Sequence, residues 1–176
     1  MSNILTVDCE TLCLRPTAVV TQAAFVVGNL ETGQILDSKQ FCFNVAIQKN
    51  SSISHETLEF WFKQNPSVIA LSFDRVLNRL ASPEFAFEEI KFLMETYGAE
   101  IAWAYPSAFD FPILTHLFDG KKPWKFYNER CALTILNQFK SKIELPEERR
   151  DKHDAYADAA WLFQCLHILN KVETLV

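Results

Sequence analysis

The sequence lacks the features of a membrane protein, a secreted protein or a structural zinc protein. No run of about 18 uncharged apolar residues occurs, so no membrane-spanning helix is predicted. The opening MSNILTVD has no basic segment followed by a long apolar stretch, as a secretory signal would. The five cysteines form an odd set without a CxxC pair, which favours neither a disulfide framework nor a zinc site. We therefore expect a soluble, cytoplasmic protein with reduced, mostly buried thiols.

An excess of positive charge is also missing. The chain has 17 Lys and Arg against 22 Asp and Glu, a formal net charge of -5. Proteins that coat long duplexes need a basic stripe, so the composition disfavours that class. It leaves open an enzyme that holds one chain end through metal ions and local contacts. Two short basic clusters, residues 121–125 (KKPWK) and 149–152 (RRDK), are either such contacts or solvated surface.

The chain has no internal repeat, low-complexity segment or linker. With 176 residues, 49% of them hydrophobic, it can bury a substantial core. We expect a single domain over residues 1–176.

The hydrophobic pattern predicts a mixed α/β fold. Strands are predicted at residues 3–8, 18–29 and 35–45, and the turn at Gly33 joins the last two as an antiparallel hairpin. A further short strand is predicted at 100–105. Helices are predicted after Ser54, after Asn65-Pro66, from Ser82 to Gly98, over 108–118, after Cys131 and over 154–170, the last as an amphipathic helix. The fold class is thus α/β, with a mixed sheet flanked by helices.

Two carboxylates stand side by side in the first strand, in LTVDCETLCL. Strand side chains alternate, so Asp8 and Glu10 point to the same side, roughly 7 Å apart along the backbone. Carboxylates at that distance repel, and one must take a proton, pair with a cation or bind a metal. The pair indicates either a metal site or an exposed strand end.

Each of two later motifs also allows two interpretations, one as part of a metal site and one as part of a helix start. Asp110 lies between phenylalanines at a helix start in SAFDFPIL, either as a helix cap or as a ligand. In HDAYADAAWLF, His153 precedes Asp158 by five residues, about 140° on an ideal helix. Both can face one cleft only if His153 lies in the loop before the helix. Alternatively, Asp154 caps this helix and Asp158 is a solvated acid of its first turn.

Taken together, the order D-x-E, F-D and H-x4-D resembles the DEDDh 3′-5′ exonucleases of the ribonuclease-H-like superfamily. The resemblance spans about residues 4 to 165. The segments HETLEFWFKQNPSV, FDFPIL and FYNERCALTI are similar to a subgroup containing the phage DexA exonuclease and small bacterial exoribonucleases.

This resemblance implies a ribonuclease-H-like fold and a two-metal site. The acidic residues matching Asp8, Glu10, Asp110 and Asp158 would bind two divalent ions, Mg²⁺ or Mn²⁺, for which carboxylate oxygens are suitable ligands. His153, with an ordinary pKa near 6.5, would act as the general base. The substrate would be the 3′ end of single-stranded RNA or DNA, with RNA slightly favoured, and the products nucleoside 5′-monophosphates. A homodimer is also implied.

The same resemblance supplies candidate substrate contacts. They are Thr11, Leu12, Trp61, Phe109 and Arg130. Trp61 is either a base-stacking ring or part of a core stripe, and Arg130 either contacts phosphate or makes structural hydrogen bonds. The sequence departs from the family pattern at Cys13, Pro106 and Cys131, where relatives have Gly, Asn and Asp; no departure affects a metal ligand.

Three other functions remain as alternatives. A phage-type enzyme would degrade DNA, and a non-catalytic interaction module would keep the fold. A ribonuclease-H or integrase relative would cut internally. The complete set of four acids and His153 favours the exonuclease over both the module and the internal nuclease.

Overall fold

The computed structural model describes residues 2–73, 80–147 and 153–175. The second basic cluster predicted from the sequence, with Arg149, Arg150 and Lys152, lies outside them.

One six-stranded mixed sheet forms the centre of the fold. Its strands are β1 (Asn3–Thr11), β2 (Val20–Asn29), β3 (Gln34–Phe43), β4 (Leu80–Ala81), β5 (Ile101–Ala104) and β6 (Glu129–Cys131), in the spatial order β4-β3-β2-β1-β5-β6. The first three strands are antiparallel neighbours, whereas β5 is parallel to β1, β6 to β5 and β4 to β3. The predicted mixed sheet, with an antiparallel hairpin at Gly33, is therefore confirmed.

In the described part of the chain, six α-helices flank this sheet. They are α1 (His55–Phe62), α2 (Pro66–Phe73), α3 (Pro83–Tyr97), α4 (Ser107–Leu117), α5 (Ala132–Phe139) and α6 (Ala155–Asn170). The capping signals act as predicted: Ser54 accepts from the Thr57 N–H, Ser82 accepts from the Phe85 N–H, and Gly98 ends α3 at a φ of 61°. None of the helices described is long and apolar enough to cross a bilayer.

The prediction for the first strand was too short. The pattern of polar residues predicted its end at Asp8, but the strand continues to Thr11 because Glu10 pairs with Gln22 and Thr11 with Val20 of β2. The two-residue strand β4 was missed, since two residues show no alternation.

The alternation of β1 divides the interior into two cores. Leu5 and Val7 face the core formed with α3 and α4, whereas Ile4 faces the core formed with α5 and α6. As predicted, most cysteines are buried, and only Cys131 is partly exposed. Asp8 and Glu10 share the parity of Ile4, so their side chains point towards the α6 side.

Helix α6 lies unusually close to the sheet. A Cβ atom at Gly28 of β2 would stand 2.3 Å from Cε2 of Phe163, which is fully buried. Glycine therefore permits this approach. The predicted helix is present, but it is buried over a wide arc, with Tyr156 as its exposed residue, and is therefore less amphipathic than its sequence indicated.

Candidate metal centre

Three carboxylates from the two ends of the chain meet beside β1. One oxygen each of Asp8, Glu10 and Asp158 lies within 4.8 Å of the others. Asp8 and Glu10 come from β1, and Asp158 from the first turn of α6. The predicted same-face pair therefore gains a third acid about 150 residues later in sequence, as the metal-site interpretation requires.

A buried hydrogen bond fixes α6 against β1 at this point. The Thr6 hydroxyl donates to the carbonyl oxygen of Ala159 over 2.8 Å. Thr6 precedes Asp8 by two residues on the same face of the strand, and Ala159 follows Asp158 directly. The bond therefore fixes the position of the Asp158 carboxylate along β1, relative to the carboxylates of Asp8 and Glu10.

Asp110 approaches from the opposite side. It lies in the first turn of α4 and is 1% exposed. Its Oδ1 accepts from the Cys9 backbone N–H at 3.1 Å, so Asp110 binds the strand rather than capping its own helix. Within the described chain, its buried Oδ2 has no hydrogen-bond partner. A buried, unsatisfied carboxylate oxygen is costly unless a cation or proton meets it.

The burial and close spacing of these carboxyl groups raise their pKa values. Burial, followed by the charge of Asp110 and Glu10, raises the pKa of Asp8 well above its ordinary range. Burial and the charge of Asp158 raise the pKa of Glu10 to about 8, and burial raises that of Asp110 to about 7. Each negative charge here is unfavourable without a positive partner.

These residues fit divalent metal ions. Asp8, Glu10 and Asp158 offer carboxylate oxygens within 4.8 Å of one another, and the charge of Asp110, whose Oδ2 has no hydrogen-bond partner in the described chain, acts on Asp8. Hard oxygen donors of this kind suit Mg²⁺ and Mn²⁺.

His153 lies where the sequence required it, in the loop just before α6. Its backbone N–H donates to Oδ2 of Asp158 at 3.1 Å, and its ring Nδ1 stands 3.9 Å from Oε1 of Glu10. Asp154 is the helix cap and accepts from the N–H groups of Tyr156 and Ala157. The capping role considered for Asp154 is therefore seen, while Asp158 lies with Asp8 and Glu10.

The start of α6 is also held from β2. The Ala155 backbone N–H donates to Oε1 of Gln22, which is 2% exposed, at 2.9 Å. Gln22 is the β2 partner of Glu10. One pair of neighbouring residues in the sheet thus supplies a carboxylate of the acidic cluster and the support for the loop of His153.

A cavity of about 400 Å³ opens over these groups. It is lined by Asp8, Cys9, Glu10, Thr11, Leu14, Glu56, Thr57, Phe60, Trp61, Tyr105, Phe109 and His153. Of the predicted substrate contacts, Thr11, Trp61 and Phe109 are among these residues, and Phe109 is partly exposed.

Three of the predicted substrate contacts need correction. Leu12 is 6% exposed and packs with Val19 and Val68 in a small core, so its side chain does not face a substrate. Trp61 is 3% exposed and its indole N–H donates to the Thr11 carbonyl at 2.8 Å, so it forms a wall rather than a stacking platform. The Arg130 guanidinium donates to the carbonyls of Tyr127 and Glu129 at 2.8 and 3.0 Å, the structural alternative.

Other lining residues escaped sequence analysis. Phe60 is 40% exposed, and its ring meets the ring of His153 edge-on at 4.9 Å between centroids. Tyr105 is 39% exposed at the end of β5. The helix motif around Trp61 pointed to the right segment for Phe60, but no sequence signal marked Tyr105.

A family model described as "3'-5' exoribonuclease Rv2179c-like domain" matches residues 3–169. No match was found among the curated proteins.

Solved structures share the fold. The zinc-bound Escherichia coli exonuclease I complex with single-stranded DNA has a TM-score of 0.68 at 14% identity, over 99% of this chain and 41% of that one. Exonuclease I of Methylocaldum szegediense has a TM-score of 0.66 at 15% identity, over 99% and 42%. A full-length 3′-exonuclease has a TM-score of 0.58 at 16% identity, over 97% and 83%.

The chain therefore spans about two fifths of the exonuclease I chains that it matches. At these identities the likeness concerns the fold. It confirms the predicted ribonuclease-H-like mixed sheet flanked by helices.

Proposed function

The chain belongs to the Rv2179c-like 3′-5′ exoribonuclease domain family, a DEDDh 3′-5′ exonuclease family. From this premise we propose that it removes nucleotides from the 3′ end of single-stranded nucleic acid, with a slight preference for RNA over DNA. The observation that carries the proposal is the convergence of Asp8, Glu10 and Asp158 within 4.8 Å, beside a cavity that Asp8, Glu10 and His153 line.

Asp8, Glu10, Asp110 and Asp158 are the proposed ligands of two divalent ions, Mg²⁺ or Mn²⁺. The raised pKa values and the unsatisfied Oδ2 of Asp110 support a positively charged occupant. When bound, such ions act as Lewis acids that stabilise charge on the attacking and departing oxygens.

His153 is the proposed general base. Its ring faces the cavity beside Glu10, within reach of a water positioned over the carboxylates. It would accept the proton of that water as the water oxygen attacks phosphorus and the bond to the preceding 3′ oxygen breaks. The phosphate stays on the released residue, so the products are nucleoside 5′-monophosphates and a chain one residue shorter.

The cavity supports an unpaired substrate end. Tyr105 and Phe109 present partly exposed rings, on which bases can stack without regard to sequence. The described lining includes no Lys or Arg, so stacking and the metal site replace broad phosphate neutralisation. The family description favours RNA, whereas the E. coli exonuclease I complex holds single-stranded DNA.

Three further properties belong to this proposal. The family match over residues 3–169 supports a single exonuclease domain. The burial of most cysteines supports a cytoplasmic location.

The proposed homodimer is supported by the resemblance alone. Light scattering on the purified chain tests it.

The decisive experiment incubates the chain and Mn²⁺ with RNA and DNA oligomers of one sequence, each labelled at the 5′ end. We expect a ladder that shortens from the 3′ end, faster on RNA. Asp8→Ala should lose orders of magnitude in rate because it removes a metal ligand. Glu88→Ala, an exposed acid on α3 away from the site, is the matched control and should keep full activity.

Three results would contradict the proposal. They are a wild-type chain that cleaves neither oligomer, a cleavage rate that Asp8→Ala leaves unchanged, and cleavage of a circular single strand. Faster cleavage of DNA would assign the chain to the DNA-degrading alternative.

A further inference from the structure

A second cavity, of about 430 Å³, lies at the end of α4 that is remote from the acidic cluster. Its walls come from the segment before α1, the start of α3 and the end of α4. The polar residues that line it include Gln48, Lys49, Ser51, Glu84, His116 and Asp119. The proposed cleavage step requires none of these side chains, so a ligand of this cavity must lie away from the cleaved bond.

Helix α4 connects the two cavities along one face. Phe109 lines the cavity over the acidic cluster, and His116 lines the second cavity. Residues seven apart on a helix lie on the same face, about 10 Å apart along its axis. Pro112, which lies between them, is partly exposed, as are Phe109 and His116. A partly exposed stripe of α4 therefore runs from one cavity to the other.

The facing wall is also continuous. Ser51 lines the second cavity, and Thr57, at the start of α1, lines the first. The Gln48 side chain holds this segment against β2, because it accepts from the Val20 N–H at 2.8 Å and donates to the Val20 carbonyl at 2.7 Å. Val20 pairs with Thr11 of β1. The segment is therefore fixed relative to the strand that carries Asp8 and Glu10.

The two walls approach each other at the second cavity. The Ser51 Oγ atom lies 3.4 Å from Nε2 of His116. One wall thus supplies a hydroxyl group and the other an imidazole at the same place. Hydroxyl and imidazole groups bind the phosphate and sugar of a nucleotide through hydrogen bonds.

Cationic side chains flank this second cavity. Lys49 lines it, and Lys121 belongs to the exposed basic cluster KKPWK. Hydrogen bonds to its own N–H and to Ser82 hold the pKa of Glu84 below its ordinary value, and the charges of Lys49 and Lys121 lower that pKa further. Both lysines therefore lie near the start of α3. The carboxylates of Glu84 and Asp119 offset their charge, so the cavity suits one phosphate rather than a row of phosphates.

We propose that the second cavity binds an upstream nucleotide of the strand whose 3′ end lies over the acidic cluster, an inference that rests on the proposed function. Stacked nucleotides rise about 3.4 Å each, so the stripe of α4 spans about three of them. Lys49, Ser51 and His116 contact the phosphate and sugar of that nucleotide. The chain therefore favours RNA of about four residues or more over dinucleotides.

Substrate length separates this second cavity from the catalytic site. A dinucleotide is too short to reach it, whereas a 5′-labelled RNA of about eight residues is long enough. We expect Lys49→Glu to lower the ratio of kcat/KM for the longer RNA to kcat/KM for the dinucleotide about 3- to 10-fold, chiefly through KM. His116→Ala should lower this ratio as well. Lys140→Glu, an equal change of charge at the exposed end of α5, is the matched control and should keep the wild-type ratio.

The outcomes distinguish this inference from the proposed function. A chain that cleaves both RNAs, with a ratio that Lys49→Glu and His116→Ala leave unchanged, overturns this inference alone. Equal losses on both lengths also overturn it, because they would assign Lys49 and His116 to folding or to the cleavage step. A wild-type chain that cleaves neither RNA overturns the proposed function.

A binding measurement without turnover completes the test. In chelating buffer, fluorescence anisotropy gives the RNA concentration that saturates the chain. The chain has four histidines, so the ring-proton resonances of His116 can be assigned by their loss in His116→Ala. Saturating longer RNA should shift these resonances, and the dinucleotide should not. Failure of the longer RNA to bind, or His116 resonances that it leaves unshifted, would contradict an upstream nucleotide in the second cavity.

Discussion

His153 combines a reactive side chain with a backbone conformation that few side chains adopt. Its φ is 71°, in the left-handed region, next to the cap residue Asp154. For a non-glycine residue this conformation costs about 1–2 kcal/mol. The hydrogen bond from its N–H to Asp158 and the cap at the start of α6 hold it there. The strain lies at the proposed catalytic base, where such strain is often found.

This strain predicts that His153→Gly is more stable than His153→Ala. Glycine adopts the left-handed region without strain, and this gain is larger than the cost of its greater conformational freedom in the unfolded chain. We expect the free energy of unfolding of the glycine variant to be higher by about 0.5–1 kcal/mol. Urea unfolding in a chelating buffer measures the difference, and both variants should lose exonuclease activity. The same pair of changes at Glu88, within α3, should give the opposite order. An alanine variant at 153 as stable as the glycine variant would contradict the strain.

At the residue level, the chemical types of the site residues could be predicted from the sequence better than the solvent exposure of their side chains. Asp8, Glu10 and Asp158 could be selected because their motifs, ambiguous singly, together resemble a family pattern, and the structure brings these three acids together. Trp61 and Phe60 could not be told apart, since neighbouring residues on a helix point about 100° from each other and the buried side of α1 depends on tertiary packing. Trp61 turned inward to Thr11, and Phe60 turned towards His153.

Among the secondary-structure elements, the start of α6 depends on one side chain of the sheet. Gln22 of β2 accepts the buried N–H of Ala155, which is 0% exposed. Replacing Gln22 by leucine leaves that donor unsatisfied, at a cost of about 1–3 kcal/mol. We expect Gln22→Leu to lower the free energy of unfolding by that amount and to weaken Mn²⁺ binding, because Asp158 follows on the same helix.

Urea unfolding and Mn²⁺ titration measure these two effects. Gln40→Ala is the matched control: Gln40 donates to Asp154 at the same helix start, at 3.0 Å, but in a solvent-exposed position. It should change stability by less than about 0.5 kcal/mol. If Gln22→Leu and Gln40→Ala change stability and Mn²⁺ binding equally, the buried hydrogen bond from Ala155 to Gln22 contributes no more than the exposed one from Gln40 to Asp154.

Elements with strong local signals were predictable, and those that depend on distant partners were not. Helix α3, with Ser82 and Gly98 at its ends, follows from local capping rules. The extension of β1 to Thr11 depends on pairing with β2, and β4 depends on a neighbouring strand, so neither is visible locally. The close approach of α6 likewise depends on Gly28 meeting Phe163, two residues 135 positions apart.

Across the whole molecule, the acidic cluster couples stability to pH and metal. The pKa of Glu10 is raised from 4.5 to about 8 and that of Asp110 from 3.8 to about 7, both chiefly by burial. A carboxyl with a raised pKa binds its proton more tightly in the folded state. Its contribution to stability is therefore complete below the unfolded pKa and is lost as pH rises through the folded one.

We therefore expect the metal-free chain to lose stability between about pH 4 and pH 8, by an amount of several kcal/mol. Mn²⁺ should oppose this loss at the upper end, because it binds the deprotonated acids of the folded state. Thermal unfolding in chelating buffer and in Mn²⁺, at a series of pH values, provides the measurement. Glu10→Gln should show a weaker dependence in chelating buffer. A Tm that stays level or rises over this range without metal would contradict the raised pKa values.

Asp8 and Glu10 are synthesised about 150 residues before Asp158. The antiparallel core of β1, β2 and β3 is complete at Phe43, so it can form while the chain is still growing. The cluster that the acids form with α6 cannot. The growing strands therefore carry Asp8 and Glu10 without the third carboxylate, and the proposed catalytic centre is completed only when α6 has been synthesised and packs against β1.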